Sequence, residues 1–253
     1  MKEKRKITTL LSAMGLCCAL SVPAVGLAAE VLSPAQKAEV QQIIGSYLKE
    51  NPEVVIDAIQ AWRQQREAAE SAITKEAIAE LMAEAVNTQS PVWGNPAGDT
   101  IVVEFFDYNC PYCKKVFPSM EKLIADDGNI KIVMKELPVL GPDSEYAAKA
   151  ALAAQMQGKY NQFHAQMMNQ GGRLSRDGVL AAAKAVGLDL EKLQKDMGSA
   201  QVQQELERSS VWAQRLGVNG TPAFVIGEEL IPGAIDGQRM KHFVELARKK
   251  KQQ

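Results

Sequence analysis

A Cys-Pro-Tyr-Cys sequence at the end of an apolar run is the feature that most constrains this chain. Cys110 and Cys113 follow the run at residues 101–106 and precede a segment with helical periodicity. The pair therefore lies where a buried strand passes into a helix, and the free N–H groups and dipole of a helix N-terminus stabilise a thiolate. Such a thiolate attacks disulfides, and the second thiol resolves the mixed disulfide. The pair is predicted to be a redox centre.

Two other uses of the cysteine pair fit the sequence less well. A zinc site needs four ligands at paired spacings, but Cys17 and Cys18 lie near the N-terminus, and His164 and His242 are far apart. A purely structural disulfide would close too small a ring to constrain the unfolded chain. We therefore expect no metal site and no cofactor other than the redox-active disulfide itself.

The first 29 residues are typical of a secretory signal. A basic start precedes an apolar centre, which is broken at Pro23 and followed by small residues up to Ala28 and Ala29. We expect cleavage after one of these two alanines and export to the periplasm, a compartment in which disulfides persist. The alternative is an uncleaved membrane anchor, since residues 7–29 are long enough to span a bilayer.

The charge balance argues against nucleic acid as a partner. The whole chain has a formal net charge of −1, and removing a leader with four basic residues and one acid leaves about −4. The leader also contains the other two cysteines, so the mature chain keeps only Cys110 and Cys113. No other thiol then competes with this pair.

Residues 30–90 are predicted to form a helical segment. Ser33-Pro34 is a start signal for a first helix ending near Lys49, and Asn51-Pro52 repeats the signal for a second. The second helix would reach Val86 and measure about 50 Å if unbroken. Its apolar face has no partner within so short a segment, so we expect self-association into a homo-oligomer. The alternative is that the segment folds back on the main domain.

Residues 91–253 contain both strand and helix patterns. Residues 87–100 are predicted to be a connector because of their Pro and Gly content. The predicted elements after it are a strand at 101–106, a helix at 111–126, a strand at 130–137, helices within about 143–216, two short strands at 223–226 and 229–231, and a closing helix at 236–250.

This order resembles the thioredoxin-fold DsbA family. The strand, the helix that begins with the cysteine pair, and Thr221-Pro222 before an apolar strand carry the resemblance. The helical block at about 143–216 is similar to the helical subdomain inserted in that family. The resemblance implies an α/β thioredoxin fold with this insertion, preceded by an all-α N-terminal oligomerisation segment. The N-terminal extension resembles that of oligomeric ScsC-like members.

The resemblance also implies roles for residues of the cysteine motif. Cys110 matches the exposed attacking thiol and Cys113 the more buried resolving thiol. Pro111 and Tyr112 occupy the two central positions, where DsbA has Pro-His. Because tyrosine stabilises a thiolate by hydrogen bonding without a positive charge, we expect a less acidic Cys110 and a less oxidising disulfide than in DsbA.

Other site residues follow from the same match. Thr221-Pro222 corresponds to the cis-proline loop beside the disulfide, the alternative being an ordinary turn before a strand. Glu104, the single charge in its apolar run, corresponds to a buried acid beneath the disulfide, the alternative being a solvent-facing Glu. A buried carboxyl has a raised pKa and can exchange a proton with Cys113. Lys135 is predicted to be its counter-charge on the neighbouring strand.

The sequence therefore predicts an exported thiol–disulfide oxidoreductase. The Pro-Tyr dipeptide and the Thr before the proline resemble the isomerase-type members DsbC and DsbG, so isomerisation is favoured over oxidation. The expected partners are unfolded or misfolded exported proteins, a membrane redox partner that resets the dithiol, and further copies of the chain in a dimer or trimer. A chaperone or a Cu(I)-binding module is the alternative from another class.

Overall fold

The computed structural model of this protein describes residues 32–252, apart from the side chains at 67, 69 and 70. The predicted signal peptide and its cleavage site lie outside the described residues. The chain divides into two compact units, Met1–Gln60 and Ala61–Gln253. Among the described residues, no helix is both long enough and apolar enough to cross a membrane.

Two helices begin where the sequence predicted. Helix α1 (Pro34–Glu50) starts with a capping box, in which the Ser33 hydroxyl accepts from the Gln36 N–H and the Gln36 side chain accepts from the Ser33 N–H. Helix α2 (Pro52–Val86) is unbroken. No residue of α1 is buried. Large apolar side chains of this region that are exposed include Val40, Ile43, Ile44, Tyr47, Val55, Ile56, Ile59 and Trp62.

A five-stranded mixed sheet forms the centre of the second unit. Its strands are β1 (Val92–Gly94), β2 (Thr100–Phe106), β3 (Ile130–Glu136), β4 (Ala223–Ile226) and β5 (Glu229–Pro232). The strand order is β1-β3-β2-β4-β5, with β2 and β3 parallel and the other pairs antiparallel. The short β1 lies inside the segment that the sequence predicted to be a connector.

Seven further helices surround the sheet in the described residues. They are α3 (Pro111–Asp127), α4 (Pro142–Gln155), α5 (Tyr160–Met168), α6 (Arg176–Ala185), α7 (Leu190–Met197), α8 (Ala200–Arg215) and α9 (Gly237–Lys251). Helices α4–α8 form the insertion between β3 and β4, and α4 packs against the other four. The predicted thioredoxin fold with a helical insertion is confirmed.

The end of α2 covers one face of the sheet. Its side chains Ala77, Ile78, Leu81 and Ala85 are buried in a cluster with residues of β2, β3, β4 and α8. This cluster includes Val103, Phe105, Val133, Trp212 and Val225. Residues 77–85, which the sequence analysis placed in the N-terminal segment, therefore contribute to the core of the second unit. Because helices cover both faces of the sheet, every residue of β3 is buried.

The predicted pairing of Lys135 with Glu104 is wrong. Strand register places Glu104 opposite Met134, and Lys135 opposite Phe105. Neighbouring residues of a strand point to opposite faces, so the two charges lie on opposite sides of the sheet. The Lys135 ammonium is instead 3.2 Å from Glu84 Oε1 and 2.8 Å from the Ser90 hydroxyl.

Candidate active site

The two cysteines lie where β2 passes into α3. Cys110 is the N-cap residue of α3, Pro111 is the first residue of the helix, and both thiols are free. Cys113 is fully buried, as predicted, but Cys110 is only 4 % exposed and the prediction of an exposed first thiol is wrong, because the Thr221-Pro222 loop lies against it. Tyr112 between them is 61 % exposed. The motif thus presents an aromatic ring to solvent beside two largely covered sulfur atoms.

Thr221 and Pro222 lie against the first thiol. The peptide bond between them is cis. The Cys110 thiol donates a hydrogen bond to the Thr221 carbonyl oxygen, with a distance of 3.2 Å from Sγ to O. The Pro222 carbonyl accepts from the Gly233 N–H at 2.8 Å, which attaches the loop to the end of β5. Two motifs far apart in the sequence are therefore in contact in the fold.

The two thiols have opposite pKa shifts. A hydrogen bond from Cys113 is the main cause that lowers the pKa of Cys110 from 9.0 to about 5, with further hydrogen bonds from Thr221 and from backbone N–H groups. Burial is the main cause that raises the pKa of Cys113 well above its ordinary value, with the hydrogen bond to Cys110 and the charge of Glu104 adding to it. At neutral pH Cys110 is a thiolate and Cys113 a thiol.

Glu104 is buried, with 1 % exposure, and it couples electrostatically to both thiols. Burial, and secondly the charge of Cys110, raise its pKa from 4.5 to about 8. Within the described residues its Oε1 atom has no hydrogen-bond partner. Its neighbours in strand register are the apolar Met134 and Phe224. The carboxyl group is therefore neutral near pH 7 and close to its own titration point.

A second buried polar cluster adjoins the site, and no sequence pattern predicted it. Glu136 Oε1 accepts from the hydroxyl groups of Tyr108 at 3.2 Å and Tyr160 at 2.8 Å. The Tyr108 hydroxyl is also 2.9 Å from His164 Nδ1. Burial raises the pKa of Glu136 well above its ordinary value and lowers that of His164 to about 3. Burial therefore favours the uncharged form of both the carboxyl and the imidazole group.

The four residues come from three separate parts of the chain, so no local motif marks them. The one available signal is Glu136 itself, a second acid at the end of a strand that is buried throughout. No group of three or more His, Cys, Asp or Glu side chains arranged for a metal ion occurs within residues 32–252.

A thioredoxin-like sheet, a dithiol at the start of a helix and a cis-proline against the first thiol define the class of thiol–disulfide exchange proteins. Residues 101–245 match the family described as DSBA-like thioredoxin domain. The chain belongs to this family. Residues 36–69 also match the copper resistance protein ScsC N-terminal domain.

Solved structures and curated proteins show the same relationship. A thioredoxin-like oxidoreductase from Silicibacter pomeroyi is 45 % identical, with 66 % of this chain and 97 % of that chain covered and a TM-score of 0.64. Proteus mirabilis ScsC in a transitional conformation is 28 % identical, with 87 % and 100 % covered and a TM-score of 0.64. The Na(+)/H(+) antiporter NhaA 1 of Salinispora arenicola is 29 % identical over 153 residues, which are 60 % of this chain and 24 % of the antiporter. The matched region thus spans about a quarter of that curated relative.

Proposed function

We propose that this protein is an exported thiol–disulfide oxidoreductase that acts on protein disulfides, with isomerisation as its preferred activity. The observation that carries the proposal is the difference between its two thiols. Cys110, whose thiol is hydrogen-bonded to the Thr221 carbonyl, has a lowered pKa and ionises readily, while Cys113 is fully buried and keeps its proton. Disulfide reshuffling requires one thiol that attacks readily and a second thiol that resolves the mixed disulfide slowly.

The exchange begins at Cys110. Its thiolate attacks one sulfur of a client disulfide, an S–S bond forms between Cys110 and that sulfur, and the other client sulfur leaves as a thiolate. A second client thiolate then attacks the mixed disulfide and releases the Cys110 thiolate. No electrons are gained or lost overall, so the client is isomerised.

Cys113 provides the second way of releasing the client from the mixed disulfide. After it loses its proton, it attacks Cys110 and releases the client as a thiolate, and the two cysteines become a disulfide. Glu104 is the proposed proton acceptor. With a pKa of about 8 a minority of its carboxyl groups is ionised at neutral pH, and this ionised form takes the proton. The raised pKa of Cys113 slows this release, which leaves time for the client to rearrange.

The surface around Cys110 is proposed to hold the client. The backbone at Thr221 and Pro222 offers hydrogen-bonding groups beside the reacting sulfur, and the exposed Tyr112 ring and Pro111 offer apolar contact. The clients are unfolded or misfolded proteins exported to the same compartment. The predicted leader indicates that this compartment is the periplasm. A membrane redox partner would return the dithiol to its working state.

The N-terminal helices are proposed to assemble several catalytic units into a dimer or trimer. The support is the exposed apolar face of Val40–Trp62, including Ile43 and Ile56, together with the match to the ScsC N-terminal domain. A cleft between catalytic units favours reshuffling because one client can contact more than one active site.

Cu(I) binding is a second candidate function. The name of the matched N-terminal domain refers to copper resistance, and two thiolates are suitable ligands for Cu(I). Titrating the reduced protein with Cu(I), beside a Cys110→Ser/Cys113→Ser variant, tests this candidate directly.

Reactivation of scrambled, fully oxidised ribonuclease in a glutathione buffer tests the proposal. The chain from residue 30 onward is compared with one that begins at Ser71, because a chain beginning at Pro91 would lose the α2 residues that cover the sheet. Activity that disappears in the shorter chain supports an isomerase dependent on its N-terminal helices. Rapid oxidation of reduced ribonuclease by both chains, without reactivation of scrambled enzyme, would identify an oxidase instead.

A further inference from the structure

A pocket of about 570 Å³ lies beside Cys110, and the exchange chemistry does not use it. Its walls come from two places. The loop and first turn of α3 contribute Asn109, Pro111 and Lys114, the residues that immediately surround the attacking cysteine in the chain. The end of α5 and the loop after it contribute residues 168–173. A group bound in this pocket therefore lies close to Cys110, because the two chain neighbours of Cys110 line it.

The charge of the pocket has one sign. Lys114 and Arg173 line it, and its other lining residues are Asn109, Pro111, Met168, Asn169, Gln170, Gly171 and Gly172, with no acid among them. Both cations donate hydrogen bonds to backbone carbonyls, which carry no charge. Lys114 Nζ donates to the Gln170 and Gly172 carbonyls at 2.9 and 2.6 Å, and Arg173 Nη2 donates to the Leu140 carbonyl at 2.7 Å.

These contacts fix the two cations without neutralising them. A lysine ammonium has three N–H donors and an arginine guanidinium has five, so both keep donors for a ligand. Asn109 joins the two walls, because its Oδ1 accepts from the Leu174 N–H at 2.7 Å and its Nδ2 donates to the Ser144 hydroxyl at 3.2 Å. The loop that carries Arg173 is thereby held at the residue that precedes Cys110.

We propose that this pocket is a binding subsite for an acidic side chain, Asp or Glu, of the client segment whose disulfide Cys110 attacks. The inference rests on the proposed function and adds a substrate preference to it. Two positioned cations in a pocket open to solvent attract a carboxylate, and polar neighbours satisfy its remaining lone pairs. Client cysteines with an acidic residue close by then react faster than equivalent cysteines with a neutral one.

The test uses two fluorescent peptide disulfides that are identical except for Asp or Asn beside the cysteine. The second-order rate constant for attack by the reduced protein is measured for both at low ionic strength. We expect the Asp peptide to react about fivefold faster, the effect of one partly exposed ion pair. The preference falls toward unity in Lys114→Gln/Arg173→Gln and at high salt. Lys115→Gln is the matched control, because Lys115 is exposed and does not line the pocket.

Alkylation of Cys110 by neutral iodoacetamide separates this effect from a change in the thiolate. If the Lys114→Gln/Arg173→Gln variant slows alkylation and both peptides by one factor, the two cations act on the thiol and the subsite is refuted. Equal peptide rates in the unaltered protein, or loss of the preference in Lys115→Gln, also refute it. If Cys110 is alkylated but attacks neither peptide, the proposed function itself fails.

Discussion

The immediate surroundings of Cys110 and Cys113 give the two thiols very different pKa values. Several hydrogen bonds lower the pKa of Cys110, whereas burial and the charge of Glu104 raise the pKa of Cys113. The largest single contribution to the acidity of Cys110 comes from Cys113 itself. Each thiol therefore depends on the other, and a substitution at one position changes the chemistry at both.

Two substitutions of Cys113 test this dependence. Cys113→Ala removes the hydrogen bond to Cys110, so we expect the pKa of Cys110 to rise from about 5 toward its ordinary value of 9.0. Cys113→Ser keeps a donor and is expected to leave the pKa closer to that of the parent. Thiolate absorbance as a function of pH gives both values. Identical titration curves for the two variants would contradict the assignment.

Glu104 and Cys110 should give opposite slopes of stability against pH. The pKa of Glu104 is raised on folding, so its contribution is fully present below about 4.5 and is lost as pH rises through 8. The pKa of Cys110 is lowered on folding, so its contribution is present above 9.0 and is lost as pH falls through 5. The two effects oppose each other in the reduced protein.

Replacing Glu104 with Gln removes the pH dependence of stability that Glu104 contributes. Between pH 5 and 8 the reduced variant should gain free energy of unfolding relative to the parent, by on the order of 4 kcal/mol at most. Urea unfolding at the two pH values measures this change. Cys110→Ser is the control and should instead lose stability as pH rises. A parallel pH dependence for Glu104→Gln and the parent would show that Glu104 is already ionised at pH 5.

The secondary structure elements differ in how far sequence alone could predict them. Helix α1 starts at a local capping box and α2 starts at Pro52, and both starts were predicted correctly. The three-residue β1 has no local signal, because it forms only by pairing with β3. Strand register is likewise set by tertiary packing, which is why the orientation of Lys135 could not be read from its apolar neighbours. The cluster around Glu136 depends on the same long-range packing.

The network around Lys135 attaches α2 to the sheet. Its ammonium is 3.2 Å from Glu84 and 3.6 Å from Glu205, and Glu84 Oε2 accepts from the Trp212 indole N–H at 2.8 Å. Lys131 makes a different contact, donating to the Ala85 and Val86 carbonyls at the end of α2. One lysine thus faces charged partners and the other faces neutral ones.

This difference predicts unequal costs for two matched substitutions. Lys135→Met removes one of the two cations beside the buried Glu205, leaving Arg208 at 3.7 Å, and should cost roughly 3 kcal/mol of unfolding free energy. Lys131→Met leaves carbonyl groups unpaired and should cost about 1–2 kcal/mol. Denaturant unfolding of both variants at neutral pH provides the comparison. Equal losses would mean that the charges at Lys135 contribute little beyond ordinary hydrogen bonds.

At the scale of the whole molecule, assembly is the property to test. The exposed apolar face of α1 includes Ile43, which is 61 % exposed. If this face joins copies of the chain, Ile43→Lys should convert the oligomer to a monomer, because a charge would have to be buried at the interface. Light scattering gives the mass, and Gln42→Lys adds the same charge at an exposed neighbouring position as the control. A monomeric parent protein would contradict the assembly.

The buried cluster that includes Ala77 and Val225 also determines when the second unit can fold. A ribosome makes the α2 residues first, long before the α8 and β4 residues that pack with them. Until residue 225 has been synthesised, Leu81 and its neighbours have no complete core to enter. The cysteine pair at 110 and 113 is therefore made well before the cluster that covers one face of its sheet can be completed.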